Sequence, residues 1–449
     1  MVAQPSVPDG VDDRRTGRGV SPLGLRTRHR VGAVLAALAA FMSVGLVAGP
    51  LRAAATGTPC ALPRTDAHHS LGLDTWNASY PRPEGTLDAA LLFLSFPDAE
   101  PMATPRELTK DHFPATSDFF ERASYGKFRL RPHTVDRWIE MPSPAGSYRI
   151  QRDWDSGHRT SYLRDAVAAA DPYVDFGAYD VVYVVADPDA PGVNSDATKV
   201  VNLEDPIKAD GTDIKRLVTV FEQSPPDRNV LAHETGHLFD LPDLYQRPTD
   251  GGADWDTRVG DWDLMGSQFG LAPEPFAWHK WKLGWLDRAQ VTCLSNTDST
   301  PAQSVHTLRP LAAPPRGGAG AGGAGASGGT AGTAGDKRLL VLRTGENEAL
   351  AIEARDREGN DETLCRQGVL LYRVRSDTAS TEGPVEVVDA HPGTSGCLDR
   401  SVHAELADAP LGVGESYADP RNALRVEVLG RTAEGDWNIE ITRGTTEPG

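Results

Sequence analysis

Cysteine, methionine and excess positive charge are all in short supply in this sequence. The four cysteines, Cys60, Cys293, Cys365 and Cys397, stand too far apart to suggest a zinc knuckle. Their even number, in a chain that starts like an exported one, predicts two disulfides. Three pairings are open. The favoured one joins Cys365 to Cys397 within the C-terminal region and leaves Cys60 for Cys293. Lys and Arg total 45 against 63 Asp and Glu, a formal charge of −18. Such acidity argues against nucleic-acid or anionic-membrane partners and is mute about fold. Past residue 47 no apolar run is long enough to span a bilayer. Aromatic residues are few, at 7%, yet a hydrophobic fraction of 39% still allows sizeable cores, while 34 Pro and 45 Gly point to much loop. The 449 residues have room for two or three domains.

Residues 1–30 carry six arginines and no apolar run. Val31 to Val47 is apolar and is followed by Gly49-Pro50 and Ala53-Ala54-Ala55. That is the layout of a secretory signal over residues 1–55, with a basic start and a small-residue cleavage site. The alternative is an uncleaved anchor at the cell surface, for which about 17 to 19 weakly apolar residues barely suffice. Cleavage would remove seven Arg and three Asp and leave a charge near −22. The expected product is secreted and has no stable membrane association.

What the chain does contain is His233-Glu234-Thr235-Gly236-His237. Two histidines four apart on a helix project from one face, a turn apart, so both imidazoles can bind one metal ion. Glu234 sits roughly 100° further round, where it can work on a water held by the metal instead of on the metal. Zinc suits imidazole nitrogens, and a catalytic zinc keeps three protein ligands and one open position. Asp227 or Asn229 can cap the start of this helix, Val230, Leu231, Leu238 and Leu241 give it apolar faces, and Pro242 stops it. Asp243, six residues past His237, could supply a third, oxygen ligand if the chain turns back. The bland alternative is an amphipathic helix with two surface histidines.

On these residues the sequence resembles the immune inhibitor A-type secreted zinc metallopeptidases, whose signature runs H-E-x-G-H-x-x-G-L-P-D-x-Y and later W-D-L-M. The matching positions are His233, Glu234, Gly236, His237, Leu241, Pro242, Asp243 and Tyr245, then Trp262-Asp263-Leu264-Met265. The resemblance implies zinc held by His233, His237 and Asp243, with Glu234 as general base. It also implies a methionine turn at Met265, an apolar floor beneath the metal. One position departs: the family's glycine after the helix is Asp240. That position is expected to need φ > 0, which Asp tolerates at about 1 kcal/mol. Asp261, Asp263 and Glu274 are the other oxygens considered as third ligand. Tyr245 is a candidate donor to the oxyanion, with packing beside the turn as its plainer role.

Along the chain, residues 56–85 read as a short extension or propeptide, and the catalytic domain as 86–292. Ala89 to Phe96 and Asp180 to Val185 read as buried strands, Thr116 to Ser124 and Arg159 to Ala170 as helices, and Phe128 onward as a further strand. Thr116 or Ser117 would cap the first helix. Leu217 to Phe221 reads as an edge strand lining the cleft, where a substrate could add itself as one more strand. Asp250, Asp254 and Asp256 could bind calcium or form a solvated acidic loop. Pro273 to Leu286 reads as a helix bearing Phe276, Trp278, Trp281 and Trp285, a wall under the methionine turn. Ser-Tyr-Gly-Lys at 124–127 and Leu283-Gly284-Trp285 also have counterparts in the resembled family.

The C-terminal part, 293–449, reads as β-rich, with a flexible Gly/Ala-rich loop at 312–335. Strands are expected at Ser304–Leu308, Arg338–Leu342, Ala349–Glu353, Gly368–Val374, Val385–Val388, Ala423–Val428 and Trp437–Ile441. Glu353 and Arg355 read as a structural ion pair. The fold class is therefore α+β: a zincin-like catalytic domain, with a mixed sheet and an active-site helix, followed by a β-sandwich-like domain. The expected activity is hydrolysis of peptide bonds in protein or peptide substrates, with Zn2+ as cofactor and calcium only as a candidate second ion. The alternative is a catalytically inactive zincin-fold module that binds protein or glycan. The intact Glu234 argues against it, because a binding relic has no need of a base.

Overall fold

A computed structural model of the protein describes residues 58–223, 225–227, 229–247, 255–294, 302–316 and 336–444. The expected signal and most of the Gly/Ala-rich stretch lie outside the described residues. So do Asp250, Asp254 and the side chain of Asp256. The fold is mixed, with several sheets and few helices.

The first sheet is built from strands β1 (Gly85–Ser95), β2 (Phe128–Glu140), β3 (Val181–Ala186), β4 (Lys199–Ala209) and β5 (Thr212–Val220), in the order β2-β1-β3-β5-β4. All are parallel except β4, which runs antiparallel to β5 at one edge. Three of the helices, α1 (Pro105–His112), α2 (Ala115–Ala123) and α3 (Ser156–Ala170), lie between β1 and β3 in sequence. Leu91 and Phe93 of β1 pack in one core with Leu108, Phe119 and Phe120, whereas Leu92 and Leu94 pack in another with Tyr162, Leu163 and Ala166. Successive side chains of a strand point to opposite faces, and here both faces are covered, so β1 and β3 read as unbroken apolar runs.

Three expectations need correcting. The segment Leu217–Val220 is not an edge: β5 lies between β3 and β4, and β4 is the edge strand. The two pair as a hairpin through Asp210-Gly211, with φ 48° and 74°, the left-handed pair that a two-residue loop demands. The tryptophan-bearing helix is shorter than expected, α5 (Ala277–Lys282), because Gly284 turns the chain at φ 81°. Neither Thr116 nor Ser117 caps α2. Pro114 holds the N-cap position, and the Thr116 hydroxyl donates to the His112 carbonyl at 2.9 Å.

The remaining strands are β6 (Val291–Leu294), β7 (Ala302–Leu308), β8 (Leu339–Arg343), β9 (Glu348–Arg355), β10 (Gly368–Arg375), β11 (Val385–Val387), β12 (Ser416–Asp419), β13 (Leu424–Arg431) and β14 (Trp437–Arg443). They form a five-stranded sheet, β11-β10-β9-β8-β6, and a four-stranded one, β12-β13-β14-β7. Leu340, Ile352 and Leu371 of the former share a core with Val426, Val428, Ile439 and Ile441 of the latter. The opposite face of β8–β10, with Val341, Ala351, Leu370 and Tyr372, packs in the same core as Met265, Phe276 and Trp278.

Both disulfides pair as expected. Cys365 joins Cys397, and Cys60 joins Cys293 across 233 residues. Among the described residues no helix is long and apolar enough to cross a membrane.

Candidate metal centre

Helix α4 (Val230–Leu238) carries the two histidines, and every residue in it is buried. Asn229 holds the N-cap position at φ 62° without a side-chain capping bond, and its carbonyl accepts from His233 N–H at 2.9 Å. The helix ends before Pro242 is reached. Asp240 takes φ 62°, as expected of the position where the resembled family has glycine, and Leu241 N–H closes back onto the Gly236 carbonyl at 3.2 Å. That left-handed residue reverses the chain and returns Asp243 to the histidines.

His233, His237 and Asp243 then form a group whose ligand atoms all lie within 4.8 Å of one another. Nε2 of each imidazole stands 3.2 Å from the same oxygen, Asp243 Oδ1. The other ring nitrogens are used too. His233 Nδ1 is bonded to the Leu264 carbonyl at 2.9 Å and His237 Nδ1 to the Leu241 carbonyl at 2.8 Å. Those bonds make Nδ1 the donor to a carbonyl and leave Nε2 of each ring turned toward Asp243, the orientation that metal-binding imidazoles use.

The charges of these groups are coupled. Burial would lower both imidazoles, but the Asp243 carboxylate outweighs it; His233 is raised and His237 reaches about 9. Asp243 is held well below the ordinary carboxylate range, because His237 and His233 more than offset its burial. Burial pushes Glu234 upward. Its Oε2 accepts the Val200 N–H of edge strand β4 at 2.7 Å, which fixes the carboxylate beside the histidines. Glu234 and His233 line an open cleft of about 610 Å³, along with Tyr245, Arg152, Glu222 and Phe269.

Met265 packs directly beneath α4: a Cβ added to Gly236 would stand 2.5 Å from its Sδ. That contact explains the glycine between the histidines. The turn around Met265 is held by Asp263, whose Oδ1 accepts from Met265 N–H at 2.7 Å and whose Oδ2 accepts from Phe276 N–H at 2.6 Å. Its carbonyls hold the neighbouring segments in turn: Leu264 O holds the His233 ring, and Met265 O accepts from Leu244 N–H at 2.9 Å.

The other oxygens considered for the metal are engaged elsewhere. Asp261 accepts from the Ser401 hydroxyl at 2.6 Å, Asp263 holds the turn, and Glu274 pairs with Lys280. Tyr245 stacks on Trp255 with ring centroids 5.3 Å apart. Burial first, and then the charges of Asp243 and Glu234, keep its hydroxyl protonated.

Ser380, from the loop between β10 and β11, carries no motif that would single it out. Asp243 N–H donates to Ser380 Oγ at 2.9 Å, and Ser380 Oγ lies 3.2 Å from Asp243 Oδ2, to which it donates. Contacts across 137 residues leave no trace in local sequence. The role of β4 did have a signal, the Asp210-Gly211 dipeptide.

A scan against protein-family models finds no match, and a search of curated proteins finds none.

Proposed function

We propose that this chain is a secreted zinc endopeptidase of the immune inhibitor A type. On this reading a zincin-like catalytic domain carries the first sheet and α4, and a sandwich-like domain follows it. The convergence of His233, His237 and Asp243 beside an open cleft, with Glu234 next to them, carries the proposal. Ligand atoms bound at about 2.0–2.1 Å to one tetrahedral ion stand about 3.3 Å apart. The observed separations of 3.2 Å fit that requirement. Two nitrogens and one oxygen, each with an orienting partner, are also the donor set of a catalytic zinc. The shared core of the last two sheets supports the sandwich-like reading. The two disulfides and the apolar segment at 31–47 support export.

When bound, zinc supplies a Lewis acid that polarises the scissile carbonyl and makes water acidic enough to deprotonate near neutral pH. Glu234 takes the proton from the attacking water and passes it to the departing amine, so that water adds across the C–N bond. Its upward shift suits a group that must hold that proton between the two transfers. Tyr245, kept protonated and lining the cleft, is the candidate donor to the oxygen on which charge develops, beside its packing role on Trp255. Edge strand β4 offers an extended peptide a place to pair.

The test is metal analysis and casein digestion by the purified mature chain, with and without chelator. Glu234→Gln should keep its zinc and lose about 10²–10⁴-fold in kcat. Unchanged proteolysis in that variant would reject the assigned base. An inactive wild-type chain that still binds zinc would favour a binding module.

A further inference from the structure

The turn after α4 is made in an unusual way. Asp240 stands where a glycine would serve without strain, and its side chain is wholly buried. Arg64 Nη1 donates to Asp240 Oδ2 at 2.7 Å, and Lys282 Nζ lies 3.2 Å from the same oxygen. His69 Nδ1 meets Oδ1 at 3.0 Å. Lys282 also donates to the Asp240 carbonyl and, at 2.8 Å, to the Ser70 carbonyl.

Two of these partners come from the segment ahead of β1, more than a hundred residues from Asp240 in sequence. That segment is firmly seated. Leu62 and Leu71 are fully buried, Trp278 Nε1 donates to the Leu71 carbonyl at 2.9 Å, and Cys60 is bonded to Cys293. The His69 ring stacks on His237, with centroids 5.8 Å apart and planes 29° from parallel. Burying a carboxylate among cations is a costly way to make a turn. What it does that glycine cannot is tie the turn to the N-terminal segment and press His69 onto a metal ligand.

We propose that Asp240, gripped by Arg64, His69 and Lys282, is a positioning residue for the metal centre. It holds the turn that returns Asp243 to the histidines and braces His237 through His69. The proposal rests on the zinc reading above. It also makes residues 58–84 part of the working enzyme instead of a removable prosegment.

The test measures zinc affinity by chelator competition, and the visible spectrum of the cobalt-loaded protein, on the full mature chain. Asp240→Gly, which eases the backbone, and His69→Ala should each bind zinc about 10–100-fold more weakly and alter the cobalt spectrum. His69→Asn, which tolerates the left-handed backbone of residue 69 (φ 56°) and can still donate to Asp240 but has no ring, should recover the share of the loss that comes through Asp240 and not the share that comes through the stack on His237. If Asp240→Gly does not fold, the two His69 variants decide the matter. Wild-type affinity and spectrum in His69→Ala overturn this proposal alone. A wild-type chain that takes up no zinc overturns the peptidase reading and this proposal together.

Discussion

Replacing Arg355 with methionine should be among the most damaging single changes in this chain. The guanidinium is fully buried. Nε donates to Asp361 Oδ2 at 2.7 Å and Nη1 to Glu353 Oε1 at 2.8 Å. Nη2 reaches the carbonyls of Trp262, Ala272 and Glu274 at 3.0, 3.1 and 3.0 Å, so it ties the irregular segment on either side of Met265 to β9. Methionine fills much of the volume but leaves two carboxylates buried without their cation, which costs about 3–5 kcal/mol. The loss should depend on pH. Burial already raises Glu353 and Asp361 above the ordinary range, and Arg355 is the main group pulling both down. Without it both rise further in the folded state. A group raised on folding contributes stability below its unfolded value, and that stability drains away as pH climbs through the folded one. The variant's deficit should therefore be greatest at pH 8 and shrink at pH 5. Urea unfolding of metal-free protein at the two pH values measures it. A deficit under about 1 kcal/mol at pH 8, or one identical at pH 5, would refute the argument.

Ser380→Ala removes the two hydrogen bonds that its hydroxyl makes with Asp243, and on the zinc reading a loss of about 10–100-fold in zinc affinity is expected, with Ser380→Thr as the control that keeps a hydroxyl. His112 is lowered by burial to about 4, so the unfolded chain takes up its proton first as pH falls below 6.5. Its contribution is complete above pH 6.5 and is lost toward pH 4, by about 3 kcal/mol at most, and His112→Leu should flatten that part of a stability–pH curve. Gly236→Ala would ordinarily favour a helix by about 1 kcal/mol, but the new methyl meets Met265 Sδ at 2.5 Å, so it should destabilise; in a Met265→Ala background the sign should reverse.

Much of the first sheet and of the candidate site was legible because it is written in local patterns. The spacing of His233 and His237 puts both on one helical face whatever surrounds them. The unbroken apolar runs of β1 and β3 announce strands covered on both faces. The positive φ of Asp240 could be expected from the residue type at that place in the signature. Other local signals were present and went unread. Thr104 and Glu107 form a capping box ahead of α1, with Pro105 opening the helix, yet no helix was expected there. The Asp210-Gly211 hairpin likewise moved the edge of the sheet from β5 to β4. In the tryptophan-rich segment the aromatic spacing suggested a longer helix than Gly284 allows.

The sequence by itself determined the pair of imidazoles, the neighbouring carboxylate and the disposition of most strands, since each depends on residues within a turn or a few positions of one another. Which oxygen stands beside the two imidazoles was settled by the folded chain, and it is that of Asp243. Asp243, Asp261, Asp263 and Glu274 are chemically alike in the sequence, and they differ only in what the folded chain sets beside them. It also revealed that Arg64, His69, Lys282 and Ser380 surround the centre. Those contacts span from 42 to 176 residues, and at that range nothing in the spacing of side chains says which will meet.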